Sequence, residues 1–337
     1  MDDLAERIAA FIRSQIAGEE EYDALALALF ARQYAALKPY RRLCDSYGAT
    51  PGTVDHWWKI PAAPVSAFKQ FALSCASTEN ISTVFHSSGT TGARTSRHYL
   101  DSDAVSLYEI SLTEGFHRAV TRNPPSLWAL MPAPQTAPNS SLSYMLGTLG
   151  AQAFYTGDNA PLIDALRHLN GSITLFGTAF AFASLFDESS DLPPLPEGSL
   201  VVETGGFKGR TREIPRAELY RLFEARLGVP QERCYSEYGM CEMASQFYGW
   251  GSSEVKRAPH WVRTRIIDPE TGDDAPVGRV GILRHFDLAN WNSVAAIQTE
   301  DLGRTLGDGF ELLGRTSRSD LRGCSLTTEE MWSQTRA

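Results

Sequence analysis

Residues 173–206 read ITLFGTAFAFASLFDESSDLPPLPEGSLVVETGG, and this stretch decides the fold class. Ile173–Phe176 and Leu200–Val202 are short, unbroken apolar runs, as expected of strands buried on both faces. Between them, residues 179–186 have the texture of a helix, so the pair reads as a strand–helix–strand unit. The same rhythm extends outward on both sides. Apolar runs recur at Leu127–Met131, Ala151–Tyr155 and Cys234–Tyr235, with helix-like segments near 140–150, 160–169 and 214–227. The expected fold is α/β, with layered, mostly parallel sheets and helices on both faces.

The flanks differ in texture. Residues 4–16 place Leu4, Ile8, Phe11, Ile12 and Ile16 on one helical face, and residues 22–37 repeat the pattern from Tyr22 to Leu37. In Ile60-Pro61-Ala62-Ala63-Pro64-Val65 two prolines force extended backbone. After residue 260, Ile266–Gly272, Val280–Leu283 and Val294–Gln298 suggest a small hairpin-rich subdomain. The expected division is 1–58 as N-terminal helices packed on the body, 59–258 as an α/β core, and 259–337 as a β-rich subdomain with a short C-terminal segment.

Composition narrows the function classes. The 337 residues are 43% hydrophobic with a net charge of −9, enough for a full core and unfavourable for nucleic acid or anionic lipid. No apolar run approaches the roughly 18 residues of a membrane span, and the acidic start MDDLAER is unlike a secretory signal. The five cysteines form no C-x-x-C pair, which favours a reducing cytoplasm. Oligomeric state is not legible.

In an open parallel sheet, ligands bind beyond the carboxyl ends of the strands. Here those ends run into Thr156-Gly157-Asp158, Gly177-Thr178, Thr204-Gly205-Gly206 and Ser236–Gly239, small and hydroxylated loops that let backbone N–H groups approach a ligand. Ser87-Ser88-Gly89-Thr90-Thr91-Gly92 offers four hydroxyls and unhindered amides to polyphosphate oxygens, without the G-K-[ST] ending of a Walker loop. Tyr238-Gly239-Met240-Cys241-Glu242 puts a carboxylate suited to Mg²⁺ just past a strand. In Thr299–Arg304 and Gly314-Arg315, an acid could accept ribose hydroxyls and an arginine could pair with phosphate. Taken singly, each also reads as a surface turn.

In this order the segments resemble the adenylate-forming superfamily of acyl-CoA synthetases, luciferases and adenylation domains. More narrowly, the chain resembles LuxE-type acyl-protein synthetases. Supporting stretches are IPAAPVSAFK at 60–69, NSSLSYM at 139–145, TGGFKGR at 204–210 and RGCSL at 322–326. The resemblance implies the large N-terminal domain of an adenylate-forming enzyme, using ATP and Mg²⁺ to convert a fatty or aryl carboxylic acid to acyl-AMP. It implies that Ser87, Ser88, Gly89, Thr90, Thr91 and Gly92 hold the β- and γ-phosphates. Gly205, Gly206, Tyr238 and Gly239 would line the adenine slot, Glu242 would bind Mg²⁺, Asp301 the ribose, and Arg315 the ribose or phosphate. His86, Phe176, Gly177, Ala179 and Phe180 would border the acyl substrate. Cys324 matches the cysteine that receives the acyl group before a downstream reductase or acyltransferase protein takes it.

Three departures qualify the match. Cys241 replaces the usual threonine, and Glu300 the usual glycine. Only 22 residues follow Arg315, too few for the mobile C-terminal domain of a typical ligase and its lysine, although shortness is normal for the LuxE type. Lys208, Arg94 and Arg97 are candidates for that positive charge. Two other functions compete: an adenylating ligase or amide synthetase using an external amine, alcohol or CoA, and a non-catalytic nucleotide-binding scaffold or regulatory protein. His98 reads as structural, and Cys75 and Cys234 as core.

Overall fold

The computed structural model describes residues 1–15, 18–87, 95–205 and 214–315. The helices are α1 (Asp3–Arg13), α2 (Glu19–Ala36), α3 (Lys38–Ser46), α4 (Ala67–Gln70), α5 (Ser102–Ala119), α6 (Ser141–Thr148), α7 (Ala160–Arg167), α8 (Ala179–Glu188) and α9 (Arg216–Leu227). The first strands are β1 (Ala63–Pro64), β2 (Thr83–His86), β3 (Arg97–Leu100), β4 (Ser126–Leu130), β5 (Ala153–Phe154), β6 (Ile173–Thr178) and β7 (Leu200–Thr204). They are followed by β8 (Cys234–Tyr238), β9 (Phe247–Trp250), β10 (Val255–Lys256), β11 (Val262–Ile267), β12 (Gly281–Asp287), β13 (Ala296–Leu306) and β14 (Gly309–Arg315). Contacts divide the chain into two units. The first is Met1–Glu114, Met240–Ser245 and Ala258–Ala337; the second is Gly115–Gly239 and Gln246–Arg257.

The second unit is the α/β body expected from the apolar runs. Its strands lie in the order β5-β4-β6-β7-β8-β9, parallel except for β9. Ile173, Leu175, Val201 and Cys234 face a core shared with α7, α8 and α9, whose Phe182, Phe186 and Phe223 interlock. Thr178, Thr204 and Glu237 stand in register across β6, β7 and β8, so the strand ends are level. The Thr178 hydroxyl accepts from the Ala181 amide at 3.0 Å and starts α8 as its N-cap.

In the first unit, α1 buries Ala5, Ile8, Ala9, Phe11 and Ile12, and Asp2 caps it by accepting from the Leu4 amide. α2 locks onto the β-rich part through side chains. The Tyr22 hydroxyl donates to the Phe286 carbonyl at 2.9 Å, while Gln33 donates to the Asn290 carbonyl at 2.8 Å and accepts from the Ala295 amide at 2.9 Å. The N-terminal helices therefore share a unit with the hairpins of β11–β14, a long-range union that local patterns do not reveal. β11, β12, β13 and β14 form an antiparallel meander, and β1 pairs in parallel with β13 at Ile297 and Gln298.

Candidate active site

Glu242 sits on a segment, Met240–Ser245, that the first unit grips by its backbone. His98 on β3 bonds through Nδ1 to the Cys241 carbonyl at 2.9 Å. A carbonyl can only accept, so that nitrogen carries the proton. Asn290 donates from Nδ2 to the carbonyls of Glu242 and Val294, both at 2.9 Å. Asp287 accepts from the Ala244 amide at 3.0 Å and the Ser245 hydroxyl at 2.7 Å. Three buried side chains thus fix the stretch from Cys241 to Ser245.

The Glu242 carboxyl is only 6% exposed. Burial pushes its pKa up, opposed by the Ser96 hydroxyl, its own backbone and the charges of Arg315 and Lys69. Ser96, beside this carboxyl, also braces the root of the Ser87–Gly92 segment. The Ser87 amide donates to the Ser96 carbonyl at 3.1 Å, and the Ser96 amide donates to the Ser87 hydroxyl at 3.0 Å. His86 is exposed at the end of β2.

Asp301 and Arg315 face each other across β13 and β14, with Arg315 Nε 2.8 Å from Asp301 Oδ1. The register slips between Leu302 and Gly303, immediately after this pair. Gly303 permits the slip, because a Cβ there would come within 2.6 Å of the Glu311 carbonyl. The Asp301 amide donates to the Thr299 hydroxyl at 3.0 Å, and that hydroxyl donates to the Leu283 carbonyl at 2.8 Å. Asp301 is nearly buried, whereas Arg315 is largely exposed.

In the second unit, Gly205 follows β7 in a left-handed conformation with φ of 65° and is exposed. Tyr238 ends β8 with its ring 5.5 Å from that of Phe247. Gly239 lies against the Glu237 carboxyl, which a Cβ there would meet at 2.5 Å from Oε1. Of the residues expected beside the acyl group, Phe176 and Ala179 are buried, and Phe180 packs half-buried against the core. At Gly177 the side-chain direction is already closed, because a Cβ there would meet Leu130 at 2.9 Å and Phe182 at 3.1 Å. Ser88, Gly89, Thr90, Thr91, Gly92, Gly206 and Cys324 lie outside the described residues, as do Arg94 and Lys208.

Sequence reasoning passed over Ser96, Asp287, Asn290, Glu237 and Lys69. Glu237 is buried and accepts from the Thr204 hydroxyl opposite it on β7. These residues carry no motif of their own; the signal available was polar residues inside otherwise apolar stretches, such as Asp287 and Asn290 among Phe286, Leu288, Ala289 and Trp291. Among the described residues, no three acidic, histidine or cysteine side chains gather as a metal cluster.

The clamp has a consequence for acid stability. Burial pushes the pKa of His98 down to about 4 and that of His285 to about 3. Both rings are neutral in the fold, so their contribution is complete above the unfolded value near 6.5 and is lost as pH falls toward the folded values. Asp287 works the other way: burial raises it to about 6, so its contribution is present below the unfolded value of about 3.8 and lost as pH rises through 6. Between pH 6.5 and 4 two histidines oppose one carboxyl, and each histidine is worth on the order of 3 kcal/mol. The melting temperature should therefore fall across that window. It should fall less steeply in His98→Asn, whose amide can donate to the same carbonyl; an unchanged slope would mean His98 does not remain neutral.

A family model described as acyl-protein synthetase, LuxE, matches residues 173–333. The long-chain-fatty-acid–luciferin-component ligase of Aliivibrio fischeri is 22% identical over 339 residues, 92% of this chain and 88% of that protein. Among solved structures, 2-hydroxyisobutyryl-CoA ligase in complex with 2-HIB-AMP and CoA gives a TM-score of 0.69 at 17% identity, over 89% of this chain and 69% of that one. ATP-bound MatB from Rhodopseudomonas palustris gives 0.53 at 19% identity, over 80% of this chain. The chain spans 56% of the length of that MatB. The fold is that of adenylate-forming ligases, as the motif order led us to expect.

Proposed function

We propose, from the likeness of this chain to the LuxE acyl-protein synthetases, that it activates a carboxylic acid with ATP and passes the acyl group to a thiol, that of Cys324. In the first step a carboxylate oxygen attacks the α-phosphorus, the bond to the β-phosphate breaks, and pyrophosphate leaves with that electron pair. In the second, the Cys324 thiolate attacks the acyl carbon, AMP departs, and the thiol proton passes to solvent. A mixed anhydride is a reactive acyl donor, so the second step needs chiefly proximity and a thiolate.

One observation carries most of the weight. Ser96 braces Ser87 at the root of the Ser87–Gly92 segment and lies beside the Glu242 carboxyl, on which the charge of Arg315, the partner of Asp301, also acts. Ser87, Glu242, Asp301 and Arg315, far apart in sequence, thus belong to one unit. In this reading Ser87–Gly92 contacts the β- and γ-phosphates, Asp301 the ribose, and Gly205, Gly206, Tyr238 and Gly239 the adenine. Mg²⁺ bound with the nucleotide would neutralise phosphate charge, and Glu242 would orient it through one carboxylate oxygen. His86 and Phe180, the less buried of the five proposed acyl neighbours, are the better placed to meet a substrate.

Among the described residues no helix is long and apolar enough to cross a membrane, and Cys44, Cys75 and Cys234 are free thiols. Both facts support a cytoplasmic setting, with a reductase or acyltransferase protein as the acyl acceptor downstream. Pyrophosphate release with ATP and Mg²⁺, measured over fatty, aryl and small polar acids, tests the first half-reaction without needing the acceptor. A response confined to one class of acid names the substrate. Silence across the panel, with ATP binding intact, would overturn the proposal.

A further inference from the structure

The segment IPAAPVSAFK, residues 60–69, is built into the first unit beside the strand that carries Asp301. Ala63 and Pro64 pair with Ile297 and Gln298 on β13, and the Val65 amide donates to the Gln298 carbonyl at 2.9 Å. This fixes the chain just before α4, whose buried Phe68 sets its ring edge-on to His98 at 6.3 Å. His98 in turn holds the Cys241 carbonyl, one residue before Glu242. The residue after Phe68 is Lys69, a half-buried cation on a helix held to the site through β1 and Phe68.

We propose that Lys69 is a catalytic residue of adenylate formation, its ammonium contacting the oxygens of the α-phosphoryl group as the acid attacks. Among the described residues Lys69 forms no salt bridge, so it is not neutralised by a fixed carboxylate. Its charge lies near enough to Glu242 to act on that carboxyl. An ammonium on a flexible stem can follow charge as it develops on the phosphoryl oxygens, and in a partly desolvated site such a contact is strong. No proton moves in this step. The new bond is carboxylate oxygen to phosphorus, the broken one is phosphorus to the bridging oxygen, and pyrophosphate carries the charge away.

The inference rests on the adenylating function proposed above, and the test separates the two. Pyrophosphate release and the melting shift given by ATP with Mg²⁺ are measured on the full chain for wild type, Lys69→Ala, Lys69→Arg and Lys38→Ala. Lys69→Ala should lower kcat about 100-fold while keeping its own melting temperature and most of the ATP-induced shift. Lys69→Arg should recover part of the rate, and Lys38→Ala, at an exposed lysine on α3, should stay within about threefold of wild type. Should the alanine variant be unstable, Lys69→Met keeps the apolar stem and is read the same way. Wild-type turnover with a Lys69→Ala rate within threefold of it overturns this inference alone. So does a loss shared equally by Lys69→Arg and accompanied by a lower melting temperature. Wild-type silence overturns the adenylating function, and Lys69's role with it.

Discussion

Glu242→Gln should reduce pyrophosphate release by roughly 100- to 1,000-fold and leave the protein at least as stable as wild type. The two effects have one cause. The carboxyl is 6% exposed and burial raises its pKa, so the fold carries a desolvated charge that Ser96, Arg315 and Lys69 only partly offset. An amide of the same shape removes that cost and should not lower the melting temperature. It also removes the charge that a cation on the triphosphate would meet, and a neutral oxygen is a poor ligand for Mg²⁺. Turnover as a function of Mg²⁺, together with calorimetric melting, reads both effects. A parallel fall in activity and stability would instead make Glu242 a structural residue whose loss loosens the clamp.

Cys324→Ser should abolish the acyl adduct on the protein while adenylation continues. Leu321-Arg322-Gly323-Cys324 places an arginine two positions from the thiol, and a neighbouring cation favours the thiolate. The other cysteines with shifted thiols are poor rivals: burial pushes Cys44 and Cys234 up to about 12 and Cys75 to about 11. After incubation with ATP, Mg²⁺ and the acid, intact-mass analysis should show one acyl group on wild type and none on the variant. Pyrophosphate should appear in both. An adduct that persists in Cys324→Ser would relocate the acceptor. Product formed on added amine, alcohol or CoA with no adduct on wild type would make the protein a ligase with an external acceptor.

The central strands of the α/β body were legible because they are largely buried and carry unbroken apolar runs. Ile173–Phe176, for example, lies within β6, where Ile173–Gly177 are all buried. Helix α8 was legible for the same reason, with an N-cap threonine to mark its start. The motifs Ser87–Gly92, Tyr238–Glu242, Asp301 and Arg315 were legible from residue type and order. What supports them was not. Asp287, Asn290 and His98 act on groups 42 to 143 residues away, and such partnerships leave no periodic trace. Lys69 was hidden differently: its segment was recognised, but its nearness to Glu242 depends on the pairing of β1 with β13. Helix α3 lies outside the segments read as helical; its Pro39 stands in the first turn, where a proline costs no hydrogen bond.

The bond between Arg315 and Asp301 fixes the last described strand at the proposed ribose site, and Cys324 follows nine residues later. Nine residues extend at most about 32 Å, so the acceptor is leashed to the place where its donor is made. A leash of that length corresponds to a local concentration on the order of millimolar, independent of how dilute the protein is. Thioester formation then behaves as a first-order event within one molecule. With Cys324 as the proposed acceptor, each chain would serve its own adenylate in preference to a dilute thiol in solution.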